Sequence, residues 1–278
     1  MTRKIALLQM CSGIDPAANA ATLARAANEA AAAGAVMLFA PEMSAMLDRQ
    51  RERGSAHIVA EVDSTLVAQI CEAARRTGIW IHLGSLPVVS EVAGEGWRNR
   101  SLVIDGQGVV RARYDKIHLF DVDLPTGERW RESAAYSAGQ ESVLLDSPVG
   151  QLGLTVCYDL RFAALFDALG AAGAEIICVP AAFTVPTGEA HWHVLLRARA
   201  IEQGCFIIAA AQSGTHEDGR STYGHSLVVS PWGDVLLDMG TEPGLGIVEI
   251  NRQLVSEVRS KIAAIRHRRP IAPVSHVG

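Results

Sequence analysis

The chain has 278 residues, 49% of them hydrophobic, and carries 25 basic against 30 acidic side chains for a net charge of −5. So much apolar material supplies a core and excludes a mainly disordered chain. The acidic balance, with no block of lysine or arginine, excludes a nucleic-acid footprint, and no apolar run approaches the roughly 18 residues of a membrane span.

A first strand covers residues 5–10, too short an apolar run for a signal peptide, so a soluble cytoplasmic protein is expected. Asp15 and Pro16 set an N-cap and a first-turn proline ahead of an alanine-rich helix running to Ala33. Gly34 stops it, and the apolar run 35–40 before Pro41 predicts a buried strand. A second helix starts near Asp63 and Ser64, buries Leu66, Val67, Ile70, Cys71 and Ala74, and ends at Gly78 before a strand over 79–83. Residues 101–104 and 109–114 flank Gly106-Gln107-Gly108 as a hairpin. After alternating strand residues at 152–156, Asp159 opens a helix with Phe162, Leu165, Phe166 and Leu169 on one stripe. Gly173 closes it, and 175–180 is a strand. A long helix from about His191 to Gln203 ends at Gly204 before a strand over 205–211, and 226–229 with 235–237 form a second hairpin. The basic run Arg266, Arg268 and Arg269 around His267 reads as a solvated tail.

The two halves overlay: 34–41 on 173–180, 101–104 on 226–229, and the helix–glycine–strand step at Gly78 on that at Gly204. This predicts an α/β fold of two sheets packed face to face with helices outside and an internal pseudo-two-fold. One domain over 1–278 is expected, with its core at about 3–250 and a C-terminal helix and tail over 251–278. Chance likeness between buried strand–helix units is the alternative.

The five cysteines are odd in number and lack CxxC or zinc-type spacing, so neither a disulfide framework nor a cysteine-rich metal site is expected. Cys11, Cys71, Cys178 and Cys205 read as core or incidental thiols. Cys157 stands apart because, like Glu42 and Lys116, it follows a strand, and strand C-termini open into a common crevice. A cysteine at a strand-to-helix turn is expected to be exposed and near helix N–H dipoles that favour the thiolate. Glu42 can take the thiol proton and return it to a leaving amine. Lys116 and the backbone N–H of Tyr158 can hold a developing oxyanion. Singly, the three side chains read equally well as a loop carboxylate, a surface lysine and a core thiol.

Three segments shift that balance: Phe39-Ala40-Pro41-Glu42, Tyr114-Asp115-Lys116-Ile117-His118-Leu119, and Leu154-Thr155-Val156-Cys157-Tyr158-Asp159-Leu160-Arg161-Phe162. They resemble, in order, the signature segments of the nitrilase or carbon–nitrogen hydrolase superfamily, and the resemblance runs from the first strand to about Ile250. It implies an αββα four-layer sandwich, a homodimer or larger assembly through the helical faces, and no metal or organic cofactor. It places the Glu-Lys-Cys triad on Glu42, Lys116 and Cys157, and a supporting glutamate on Glu132. The stretches 118–123, 187–192 and 195–202 resemble the deaminated glutathione amidases and omega-amidases within that superfamily, and 209–214 with 223–226 resemble the deaminated glutathione branch in particular. The small-molecule amide so implied is N-(4-oxoglutaryl)-L-cysteinylglycine, with 2-oxoglutaramate, a broader short-chain amide or a nitrile as alternatives, and a non-enzymatic binding member of the fold as a different class.

Arg161, four residues after Cys157, is in plausible reach to grip a substrate carboxylate or to pair with a nearby acid. Phe183 and Thr187 match pocket-lining positions of the amidase relatives and equally suit packing and a turn. His193 stands where those relatives commonly carry an acid, and no role is assigned to it. His191 and His193, two apart on a helix, face different sides and are not expected to bind metal. Arg197, Arg199 and Glu202 are expected to form ion pairs in the helical layer.

Overall fold

The computed structural model describes residues 2–123 and 127–277. In chain order the first half contains β1 (Thr2–Gln9), α1 (Pro16–Ala32), β2 (Met37–Phe39), α2 (Arg51–Ser55), α3 (Thr65–Thr77), β3 (Trp80–Val89), β4 (Trp97–Ile104) and β5 (Val110–Asp115). A two-stranded excursion, β6 (Asp121–Asp123) and β7 (Arg129–Arg131), leads to β8 (Val143–Ser147), β9 (Gly150–Leu154), α4 (Ala163–Ala171), β10 (Ile176–Cys178), α5 (Val185–Gln203) and β11 (Phe206–Ala209). The chain ends with β12 (Ser213–Thr215), β13 (Ser221–Tyr223), β14 (Leu227–Val229), β15 (Val235–Asp238), β16 (Gly244–Asn251) and α6 (Gln253–Lys261).

The caps follow the sequence. Asp15 accepts from Ala17 N–H ahead of α1, Ser64 accepts from Val67 N–H ahead of α3, and Gly78 and Gly204 close α3 and α5 in the left-handed conformation. Period-two alternation then sets the layers. Ile5, Leu7, Met37, Phe39 and Val103 face the central core, while Ala6, Leu8, Leu38, Leu102 and Ile104 face α1 and α3. With both faces covered, these strands read as unbroken apolar runs.

One sheet has the order β16-β1-β2-β3-β4-β5 and the other β8-β9-β10-β11-β14-β15. Both pair antiparallel, parallel, parallel, antiparallel, antiparallel in that order. The internal repeat is therefore real, with β2, β3 and β4 matched by β10, β11 and β14 as the overlay anticipated. No helix among the described residues is long and apolar enough to cross a membrane.

Three expectations are corrected. Asp159 does not open a helix: residues Cys157–Arg161 form a 3-10 turn and α4 begins at Ala163. The Asp159 carboxylate instead accepts hydrogen bonds from Val156 N–H and Tyr114 Oη–H, so it serves the turn itself. α5 starts six residues before His191. Pro186 sits in its first turn, where its missing N–H is no loss, and Gly188 is demanded by Tyr223, whose Cγ would lie 2.2 Å from an added Cβ. The basic tail is not wholly solvated, because Arg268 donates to Asp167 Oδ1 at 2.7 Å and so docks on α4. In the helical layer Arg199 pairs with Glu202 at 2.9 Å, whereas Arg197 donates to the Gly233 carbonyl.

His82 lies between the sheets, 1% exposed, with Nε2 against Ser101 Oγ at 2.8 Å and Cys178 Sγ at 3.5 Å. Burial lowers its pKa from 6.5 to about 3. The unfolded chain therefore binds a proton that the folded chain refuses until about pH 3, and stability falls as pH drops below 6.5. Urea unfolding should lose about 1.4 kcal/mol per pH unit from this one group. His82→Gln should flatten the pH slope by one proton, and an unchanged slope would contradict this.

Candidate active site

Three strand ends meet. Glu42 follows β2, where Gly84 permits the approach: a Cβ there would stand 2.0 Å from the Ala40 carbonyl and 2.5 Å from Pro180 Cβ. Lys116 follows β5, its N–H bonded to the Asn99 carbonyl at 2.9 Å. Cys157 sits beyond β9, its N–H donated to the Pro180 carbonyl at 2.9 Å. Cys157 has φ +51° and Met43, next to Glu42, has φ +53°, so both turns hold non-glycine residues in the left-handed region. Such strain costs of order 1–3 kcal/mol and concentrates at functional sites.

The charged network is nearly closed to water. Lys116 Nζ, 2% exposed, donates to Glu42 Oε1 at 3.0 Å and Glu132 Oε2 at 2.8 Å. Asn99 Nδ2 donates to the same two carboxylates, at 3.0 Å and 3.1 Å. Ala182 N–H reaches Glu42 Oε2 at 2.9 Å and Phe120 N–H reaches Glu132 Oε2 at 2.7 Å. Burial opposes the Lys116 charge, but Glu132 and Glu42 more than offset it and hold the ammonium well above the ordinary lysine range.

The thiol differs from the sequence expectation. Cys157 is 7% exposed, and burial, followed by the Glu42 carboxylate it faces, pushes the thiol well above its ordinary value; Lys116 pulls the other way without prevailing. The short 3-10 turn brings no long helix dipole to bear. The sulfur rests as a thiol, and an adjacent carboxylate must remove its proton when attack occurs.

The residues given a site role from the sequence line one cleft of about 300 Å³: Glu42, Lys116, Glu132 and Cys157 at its floor, with Tyr158, Arg161, Phe183 and Thr187 around them. Arg161 has no carboxylate partner among the described residues. Its guanidinium lies 5.5 Å from the Phe183 ring centroid and 5.9 Å from that of Tyr158, and donates to His191 Nδ1 at 3.3 Å. Thr187, in the first turn of α5, bonds Thr184 Oγ1 at 2.8 Å. His193 lies outside the cleft; with His225 it donates to opposite oxygens of Asp238, each at 2.9 Å.

Sequence reasoning missed two residues. Asn99 spans both carboxylates, and it lay ahead of the strand anticipated over 101–104, where nothing marked it. Asp159, 0% exposed, also accepts from His118 N–H at 3.0 Å and His118 Nδ1 at 2.7 Å, so it ties the Lys116 segment to the Cys157 turn.

Known proteins resemble this chain in sequence and fold. The sequence profile of the carbon–nitrogen hydrolase family matches residues 4–260. A deaminated glutathione amidase of Yersinia enterocolitica is 43% identical over 266 residues, 95% of this chain and 92% of its own; that of Homo sapiens is 38% identical, with 96% and 82% covered. The C. elegans NitFhit protein superposes with a TM-score of 0.89 at 36% identity, covering 96% of this chain, which spans 65% of the NitFhit chain. An amidase variant of Nesterenkonia sp. AN1, solved with acrylamide added at its active-site cysteine, superposes with a TM-score of 0.78 at 29% identity, covering 94% and 98%. On its profile, its relatives and its fold, the chain belongs to the carbon–nitrogen hydrolase family.

Proposed function

We propose that this enzyme is a cysteine amidase working through a thioester, with N-(4-oxoglutaryl)-L-cysteinylglycine, deaminated glutathione, as substrate. The observation that carries the reading is the convergence of Glu42, Lys116 and Cys157 at one cleft floor. Glu42 takes the thiol proton as sulfur attacks the amide carbonyl, so the negative charge passes from the Glu42 carboxylate to the carbonyl oxygen. The oxyanion is received by Lys116 Nζ and Tyr158 N–H, where one lost donor costs about 3–4 kcal/mol. Glu42 hands the proton to the leaving amine, which departs as cysteinylglycine. Water then attacks the thioester, giving its proton to Glu42 and releasing 2-oxoglutarate, and the thiol is restored. Glu132 holds Lys116 in place.

Arg161 is the candidate grip for the oxoglutaryl carboxylate, with Phe183 and Thr187 shaping the wall beside it. The names of the curated relatives support the substrate. The same reading treats the chain as one domain, supported by a core shared between the two sheets. It has copies pairing through the helical faces, where Val194 and Ile201 of α5 and the nearby Trp232 lie exposed, and places the protein in the cytoplasm, which suits five free thiols.

Steady-state hydrolysis should favour N-(4-oxoglutaryl)-L-cysteinylglycine over 2-oxoglutaramate by at least about tenfold in kcat/KM, the equivalent of one good charge-assisted contact. Equal sluggishness toward both would overturn the assignment.

A further inference from the structure

The cleft carries a second cationic end, away from Arg161. Arg49 Cζ lies 4.9 Å and Arg220 Cζ 5.1 Å from the centroid of one ring, Trp130. Arg220 is neutralised by Asp218 at 2.8 Å. Arg49 has no carboxylate partner among the described residues, and the two guanidinium groups are close enough to repel. Of the cleft's other arginines, Arg131 and Arg129 pair with Asp123 at 2.9 Å and 3.6 Å, and Arg51 donates to the Arg131 carbonyl at 2.7 Å. The Trp130 indole N–H, shut off from water, meets no acceptor among the described residues.

The two ends are joined by aromatic rings. Trp130 lies 6.2 Å from Phe120, Phe120 lies 5.1 Å from Tyr158, and Tyr158 carries Arg161. Tyr158 adjoins the nucleophile, so Arg161 serves the half of a ligand nearest the sulfur, and Arg49 stands two ring steps further out. Two unpaired guanidinium groups separated by a run of rings cannot grip one carboxylate together. They suit a ligand with an anion at each end and an extended middle that lies on aromatic faces.

We propose that Arg49, Trp130 and Arg220 form a second anion subsite, which takes the carboxylate on the leaving-amine side of the scissile amide and so selects amides that are anionic at both ends. This rests on the amidase reading of the cleft and adds to it the residues that read the far end of the substrate. The leaving half lies along Phe120 and Trp130, its terminal carboxylate on Arg49, with Arg220, fixed by Asp218, against the same indole.

The test pairs the enzyme change with a substrate change. N-(4-oxoglutaryl)-L-cysteinylglycine is compared with the same compound bearing a primary amide in place of the glycine carboxylate, on wild type, Arg49→Gln and Arg49→Lys. Wild type should prefer the free acid by about tenfold or more in kcat/KM, chiefly through KM. Arg49→Gln should collapse that preference to near unity, and Arg49→Lys should retain part of it. The preference is a ratio measured on one preparation, so partial misfolding does not move it. A preference unchanged in Arg49→Gln, with both compounds turned over, overturns the subsite. Wild type hydrolysing neither compound overturns the amidase reading itself, and the subsite with it.

Discussion

Cys157→Ala should lower kcat by about 10⁴-fold or more, because it deletes the atom that forms the thioester and leaves only positioning and the oxyanion donors. The fold should survive. The side chain is small, and Ala is no worse than Cys at φ +51°. Cys157→Ser sharpens the result. A hydroxyl gives up its proton far less readily than a thiol, and no imidazole lines the cleft among the described residues, so the serine enzyme should also be nearly inert. The check is kcat beside thermal unfolding for both variants. Activity retained in either would remove sulfur from the mechanism.

Lys116→Met should be costly twice over. Methionine keeps much of the lysine shape and deletes its charge, leaving Glu42 and Glu132 buried together with Asn99 as their shared neutral donor. Removing one partner of a buried ion pair typically costs about 3–5 kcal/mol, since the remaining charge is stranded. Turnover should fall to background, as the oxyanion loses its cation. Adding Glu132→Gln should recover part of the stability, by removing one stranded carboxylate, without recovering activity. Chemical denaturation of the single and double variants reads the first effect and kcat the second. A Lys116→Met protein as stable as wild type would show that the charge network described here does not exist in solution.

Much of this was legible in the sequence. Asp15, Ser64, Gly78 and Gly204 announced the helix ends, and the apolar runs announced strands buried on both faces. The glutamate, lysine and cysteine each follow a strand, and the resemblance of their three segments singled them out. What escaped depended on partners distant in the chain. α5 is longer than the stretch anticipated from about His191, because Pro186 is harmless in a first turn and Gly188 is required by Tyr223. Arg98, Asn99 and Arg100 precede the strand anticipated over 101–104 and drew no reading, yet Arg100 is held by Glu61, Glu91 and Asp115, and Asn99 sits buried between two carboxylates. The protonation state of Cys157 was misjudged for the same reason: local sequence promised a helix terminus, whereas burial and Glu42 determine the thiol.

The central claim is that acyl transfer passes through one sulfur. The most direct measurement is peptide mapping by mass spectrometry of enzyme quenched during turnover of N-(4-oxoglutaryl)-L-cysteinylglycine. The oxoglutaryl mass should appear on the peptide bearing Cys157 and on none bearing Cys11, Cys71, Cys178 or Cys205. Turnover with no acyl group on Cys157, under conditions where a thioester survives the quench, would contradict the account.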